Sequence, residues 1–300
     1  MLTHLNPSPL PPARVVILGA RGFIARELAA ALRAASIEVQ AISSQEIDLS
    51  EPSAAGRLQS LLRADDAVVM TSALTPDKGK DTATLMKNLR MAEQVALALA
   101  ARPTGHFVYI SSDAVYDWRQ PLISEETAPS ATDLYSLMHI AREQILTAAA
   151  AAAKVPCCIL RPCAIYGAGD SHNGYGPNRF IRSALADGKI RLFGAGDETR
   201  DHVFIGDVVA VLALALGHRS TGVLNAVSGA SISFGELARR VAGLVGPTDK
   251  PVAIESAPRS GPVTHRHFDP TALLRSFPLH RPTSLEFGLQ KTWREMTIGR

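Results

Sequence analysis

The run Gly19-Ala20-Arg21-Gly22-Phe23-Ile24-Ala25 constrains this chain more than any other feature. It joins an almost continuous apolar stretch, residues 14–19 (RVVILG), to residues 23–35, whose apolar positions recur at helical spacing. An apolar run of that length ending in glycine reads as a strand buried on both faces. Gly19 permits a tight turn, Gly22 lets the backbone approach a pyrophosphate, and Ala25 keeps helix and strand close. The helix start then turns free N–H groups and the positive end of its dipole toward phosphate. A strand, a glycine turn and a helix in this order are expected to cradle a dinucleotide, with contacts from Gly19, Arg21, Gly22, Phe23 and Ile24.

The pattern continues beyond the turn. Residues 38–42, 67–70, 106–111 and 156–160 read as strands, and residues 52–62, 82–101 and 134–153 as helices, the second of them stopped by Pro103. Strands alternating with helices predict a parallel sheet with helices on both faces. The second half is less regular. Residues 167–178 are rich in Gly, Asp, Asn and Ser and read as a loop, as do residues 247–262. Short strands are expected at 191–193, 202–205 and 223–227, and helices at 180–187, 208–216, 234–245 and 284–296. The expected fold is α/β: a Rossmann-type doubly wound parallel sheet over 13–165, with a smaller C-terminal α/β substrate domain over 166–300. Segments such as 202–228 are open to returning to the first domain.

Composition excludes some partners. The 300 residues carry a formal charge of only +3, too small to argue for nucleic acid or an anionic membrane surface. Cys157, Cys158 and Cys163 form no CxxC pair, and an odd count does not build a disulfide framework. Reduced, buried thiols in a cytoplasmic protein are the expected reading. Residues 1–12 hold four prolines without the basic and apolar regions of a signal peptide, and read as a disordered or extended lead-in. No apolar run has the length of a membrane span.

Ser111 and Ser112 follow the fourth strand, at the sheet end where parallel folds bind ligands, and Tyr135 opens a long helix. A serine hydroxyl and a tyrosine phenol can polarise a carbonyl or alcohol oxygen while hydride moves to or from a nicotinamide. The segment SSDAVYD at 111–117 followed by Tyr135-Ser136-Leu137-Met138-His139 resembles the extended short-chain dehydrogenase/reductases, also called the epimerase/dehydratase family. So do Asn88, Leu160-Arg161-Pro162 with Ile165-Tyr166-Gly167, the segment 200–205 (RDHVFI), and the C-terminal Pro282-Thr283-Ser284-Leu285-Glu286 with Gly288-Leu289. The similarity runs from Arg14 to about Met296.

The resemblance implies roles. Tyr135 is the acid/base, and Ser112 binds the reacting oxygen. Asp113 stands where the family's dehydratases place an acid, but their glutamate partner is replaced by Ala114, which disfavours dehydration. Ser72, Ala73, Asn88 and Pro162 join the cofactor contacts. Asn178 and Arg200 match residues that hold the nucleotide and diphosphate of a sugar nucleotide, the guanidinium fork suiting phosphate. The chief departure is His139, where the family's Y-x-x-x-K motif has lysine. Four-residue spacing keeps His139 on the face of Tyr135, so it is expected to replace lysine at the nicotinamide ribose.

No carboxylate is expected at the end of the second strand, where Ser43 and Ser44 stand, and Arg21 is available to a 2′-phosphate. NADP is therefore the expected cofactor, with NAD the alternative. His172 beside Asp170 lacks a metal-ligand set. The leading expectation is an NAD(P)-dependent reductase of a keto-sugar nucleotide. An epimerase with retained NAD is the alternative, and His139 keeps open a non-catalytic NADP-binding sensor or scaffold. The partner is a small molecule; the resemblance admits a homodimer.

Overall fold

The structure, a computed structural model, describes residues 2–117, 119–247 and 249–298. In chain order the first half holds β1 (Thr3–His4), β2 (Arg14–Leu18), α1 (Phe23–Ala34), β3 (Glu38–Ile42), α2 (Ala54–Leu61), β4 (Ala67–Met70), α3 (Thr82–Ala101), β5 (His106–Ile110), β6 (Leu122–Ile123), α4 (Leu134–Ala152) and β7 (Cys157–Pro162). The second half holds β8 (Ala164–Tyr166), α5 (Pro177–Asp187), β9 (Lys189–Phe193), β10 (Thr199–Phe204), α6 (Ile205–Gly217), β11 (Ser220–Ala226), β12 (Ser231–Ser233), α7 (Phe234–Val245), β13 (Ala253–Ala257), β14 (His267–Phe268), α8 (Thr271–Ser276) and α9 (Leu285–Ile298).

Every residue of β2, β4 and β5 is buried, the outcome expected of apolar strands covered on both sides. They belong to a seven-stranded sheet of order β1-β11-β7-β5-β4-β2-β3. All its pairings are parallel except that of β1 with β11. One core lies between the sheet and α1 and α6, through Leu28, Val208 and Leu212; the other packs Leu58, Val95, Leu99 and Leu146 of α2, α3 and α4 on the opposite face. The chain leaves β2 toward β3 and returns to β4 on the other side. The crevice at that reversal is where such sheets bind ligands.

Two buried bidentate ion pairs fix the frame. Arg14 on β2 holds Asp66 at 2.7 and 2.6 Å. Arg161 on β7 holds Glu143 of α4 at 2.9 and 2.5 Å and donates to Tyr116 Oη at 2.8 Å, which donates in turn to Asn225 Oδ1 at 2.8 Å. The second network locks α4 against β7 and β11.

Some segments take one of the forms the sequence left open, and residues 247–262 depart from expectation. The N-terminal lead-in is extended: Thr3 and His4 pair with Thr221 and Ser220, and the His4 ring stacks on His218 with centroids 4.5 Å apart. Residues 247–262, expected as loop, contain β13, formed because β9 offers it a parallel edge. β11 and α6 return to the large sheet and its helical layer. Cys157 and Cys158 face opposite cores, and all three cysteines are free thiols. Among the described residues no helix is long and apolar enough to cross a membrane.

Candidate active site

The glycine turn adopts the geometry its residues allow. Gly19 has φ of +104°, and a Cβ there would stand 2.8 Å from the Ser72 nitrogen. Gly22 is the N-cap of α1 and offers no side chain to the helix's first N–H groups. The turn opens into a cavity of about 600 Å³, of the size of a ligand site. Arg21, Phe23 and Ile24 line it here, Ser43 and Ser44 beyond β3, Ser72 and Ala73 beyond β4, and Ser112, Tyr135, His139 and Pro162 farther along.

At the β3 end the structure corrects the sequence reading. The chain turns back after Ser43, and the Glu46 carboxylate accepts from the Ser43 nitrogen and hydroxyl, both at 2.8 Å. These bonds and, more weakly, the Arg21 charge hold its pKa below the usual range. A carboxylate does stand here, three residues later in the chain than a strand-end motif would place it. The Arg21 guanidinium has no hydrogen-bond partner among the described residues; only its backbone carbonyl is engaged, by Arg26. Asp48 and Leu49 also line this end and went unrecognised because no regular element carries them.

Tyr135 and His139, expected from the sequence as acid/base and ribose contact, are held by α4. Asp133 caps the helix, accepting from the Ser136 nitrogen at 2.7 Å while Ser136 Oγ accepts from the Asp133 nitrogen at 3.0 Å. Tyr135 therefore sits in a pinned first turn and lines the cavity together with Ser112. Burial, with Asp113 adding to it, pushes its phenol up to about 12. One turn on, the His139 ring lies edge-on to the Tyr135 ring at 4.7 Å. His139 Nδ1 is 2.7 Å from the Tyr109 hydroxyl. Burial and the Arg142 charge hold its pKa well below the ordinary value, so it is neutral.

Among the described residues, four buried polar atoms lining the cavity find no protein partner: Ser72 Oγ, Ser111 Oγ, His139 Nε2 and His202 Nε2. Unpaired buried polar groups are costly, and a polar ligand would satisfy them. With the cradle at Gly19 and Gly22, the residues present fit a dinucleotide and a polar substrate. His202 was not singled out in the sequence; burial and nearby Arg200 lower its pKa to about 3.

Other expected residues take different places. Asn88 is buried under the loop after β4, where its amide accepts from the Leu74 nitrogen at 2.8 Å and donates to the Leu74 carbonyl at 3.0 Å. It holds the loop from behind and lines a smaller adjoining pocket instead of the main cavity. Asn178 does line the cavity, but its amide spans the Gly167 nitrogen at 3.1 Å and Asp170 Oδ2 at 2.7 Å. Asp113 is not placed as a free acid. Its Oδ2 lies 3.1 Å from Arg266 Nη1 and 3.5 Å from Arg200 Nη1, so two guanidinium groups occupy it. Arg266, on no motif read in the sequence, thus joins Arg200. His172 pairs with Asp77 at 3.1 Å across the cavity mouth.

Residues 15–227, well over half the chain, match the NAD dependent epimerase/dehydratase family. The dTDP-L-rhamnose 4-epimerase of Burkholderia thailandensis is 32% identical over 187 residues, 60% of this chain and 51% of that one. The dTDP-4-dehydrorhamnose reductase of Mycolicibacterium smegmatis is 28% identical over 260 residues, 83% of this chain and 75% of that one. The chain thus spans about half the length of the first relative and three quarters of the second. The solved structure of MoeE5 in complex with UDP-glucose and NAD shares the fold, with a TM-score of 0.80 over 95% of this chain and 99% of that one at 24% identity. The glycine cradle at the sheet reversal, the serine–tyrosine pair beyond β5 and the family match together place the chain in the NAD-dependent epimerase/dehydratase family, enzymes of the extended short-chain dehydrogenase/reductase type.

Proposed function

We propose that this enzyme uses NAD(P) to reduce a keto group on a nucleotide-linked sugar. The observation that carries the reading is the state of Tyr135. It is half-buried, lines the cavity with Ser112, and is held as a phenol up to about 12 by desolvation and the Asp113 charge, which equips it to give a proton to a carbonyl oxygen. An enzyme working mainly as an alcohol oxidant would need the phenolate as base. When bound, the reduced nicotinamide supplies the hydride. Ser112 orients the oxygen that receives the proton, and His139 Nε2 is free to bond ribose.

NADP is the cofactor proposed first, because the Arg21 guanidinium is free while Glu46 is taken up by Ser43. NAD is the alternative, favoured by the Glu46 charge itself. Arg200 and Arg266 are proposed to hold the substrate diphosphate, their fork geometry suiting phosphate oxygens.

The test is incubation with NADPH or NADH and a panel of keto- and ordinary sugar nucleotides, followed by cofactor absorbance and product mass. Cofactor oxidation matched by a two-hydrogen mass gain supports reduction. A change of configuration with no net cofactor turnover establishes the epimerase alternative, which the name of the 32% identical relative favours. Tyr135→Phe is expected to keep cofactor affinity and lose about 10³-fold in turnover; full activity in that variant overturns the assignment.

A further inference from the structure

Helix α4 carries a guanidinium where no solvent reaches. Arg142 is fully buried and stands seven positions after Tyr135 and three after His139, on the same helix face. It donates to the Ser72 carbonyl at 2.7 Å and lies 3.5 Å from Asn88 Oδ1. Its remaining neighbours are soft or apolar: Met70 Sδ at 3.4 Å, Met138 Sδ at 3.7 Å, and the Tyr109 ring, whose centroid is 5.0 Å away. Among the described residues no carboxylate pairs with it. Arg161 shows the ordinary arrangement in this core, with a bidentate partner in Glu143. A buried cation without a counter-ion is expensive, and packing alone would be better served by an apolar side chain.

Two packed side chains link the charge to Tyr135. Arg142 stands over the Tyr109 ring, Tyr109 bonds His139 Nδ1, and His139 packs edge-on to Tyr135. Position 139 cannot hold a second cation beside it. A neutral imidazole bonded through Nδ1 to Tyr109 keeps Nε2 toward the cavity, where it has no protein partner.

We propose that the fixed positive charge of this active site resides on Arg142 and not on position 139. Arg142 stabilises the phenolate left on Tyr135, and His139 keeps only the hydrogen-bonding half of a lysine's task. This rests on Tyr135 being the proton donor. In that step a reduced nicotinamide, when bound, would give up a hydride to the carbonyl carbon and be left oxidised. The Tyr135 O–H bond breaks, its proton goes to the carbonyl oxygen, and solvent later restores it. Asp113 and Asp133 oppose the ionisation of Tyr135, Ser112 and Arg142 favour it, and the His139 ring packed on it is neutral. Of the two that favour it, Arg142 alone is charged. It acts through Tyr135 and is a positioning residue.

The test needs no substrate. The chain has five tyrosines, so 3-fluorotyrosine labelling gives few fluorine resonances, and loss of one in Tyr135→Phe assigns position 135. Fluorination makes the phenol more acidic and brings its titration into a range the fold withstands. Arg142→Met is expected to raise the Tyr135 midpoint by about one pH unit or more. His139→Gln should leave it in place. His139→Lys alone puts two cations in one dry site and should lower the melting temperature, and adding Arg142→Met should restore both stability and midpoint. An unchanged midpoint in Arg142→Met, or an equal rise in His139→Gln, overturns the proposal. If Arg142→Met does not fold, the double variant decides: folding with a wild-type-like midpoint supports the charge exchange, and failure to fold overturns it. A negative sugar-nucleotide panel leaves this titration readable, so the two failures are distinguishable.

Discussion

At the scale of single residues, Asp113 shows how position and role separate. Its place beyond β5 suggests an acid, but Arg200 and Arg266 converge on it from two later segments. Under the proposed function, a substrate diphosphate would exchange with Asp113 for these guanidinium groups, and its binding energy would position the sugar for hydride transfer. Arg200→Lys keeps the charge and loses the planar fork. It is expected to raise KM for the sugar nucleotide about tenfold or more, worth about 1.4 kcal/mol, and to leave the cofactor Kd alone. Unchanged kinetics on an identified substrate would limit Arg200 to holding Asp113. That Tyr135, Ser112 and His139 share one cavity was legible because motif spacing carries them. Arg142 and Arg266 were not. A charged residue in a run of helix formers reads as a solvated face, and only the packing of β4, β5 and α3 shows that α4 turns Arg142 inward.

At the scale of elements, the glycine turn is where sequence and geometry agree most closely. An alanine at 19 would need φ near +104° and would press its Cβ to 2.8 Å from both the Ser72 nitrogen and Thr71 Oγ1. Gly19→Ala is expected to cost about 1–2 kcal/mol of stability and to abolish measurable cofactor binding. Thermal unfolding and calorimetry check the two parts, and normal cofactor affinity would remove the turn from the site. Long helices and fully apolar strands were legible from periodicity alone. β6, β8, β12 and β14 were not, since each has at most three residues and no period to read. β13 was hidden for a different reason: its mostly exposed AIESA segment becomes a strand only because β9 lies beside it.

At the scale of the whole molecule, several histidines are buried in the neutral form. Burial takes His106 to about 4 and His202 to about 3, and His139 lies well below its usual value. Each binds a proton more readily unfolded, near 6.5, than folded. Their contribution is complete above about pH 6.5 and is lost as pH falls through that value toward 4 and below, by up to about 1.4 kcal/mol per pH unit for each. Melting temperature measured from pH 8 to 4 should drop once pH passes below 6.5, and a flat profile would refute the assignment. The order of the large sheet is the least legible feature at this scale, because nothing local in residues 220–226 announces a place between β7 and β1. That place has a consequence during biosynthesis. A chain leaving the ribosome holds β7 with a bare outer edge, and its first strand unmatched, until residue 226 has emerged. Bare edges recruit other chains, so the demand for chaperones, and the yield on overexpression, should be governed by this interval of translation.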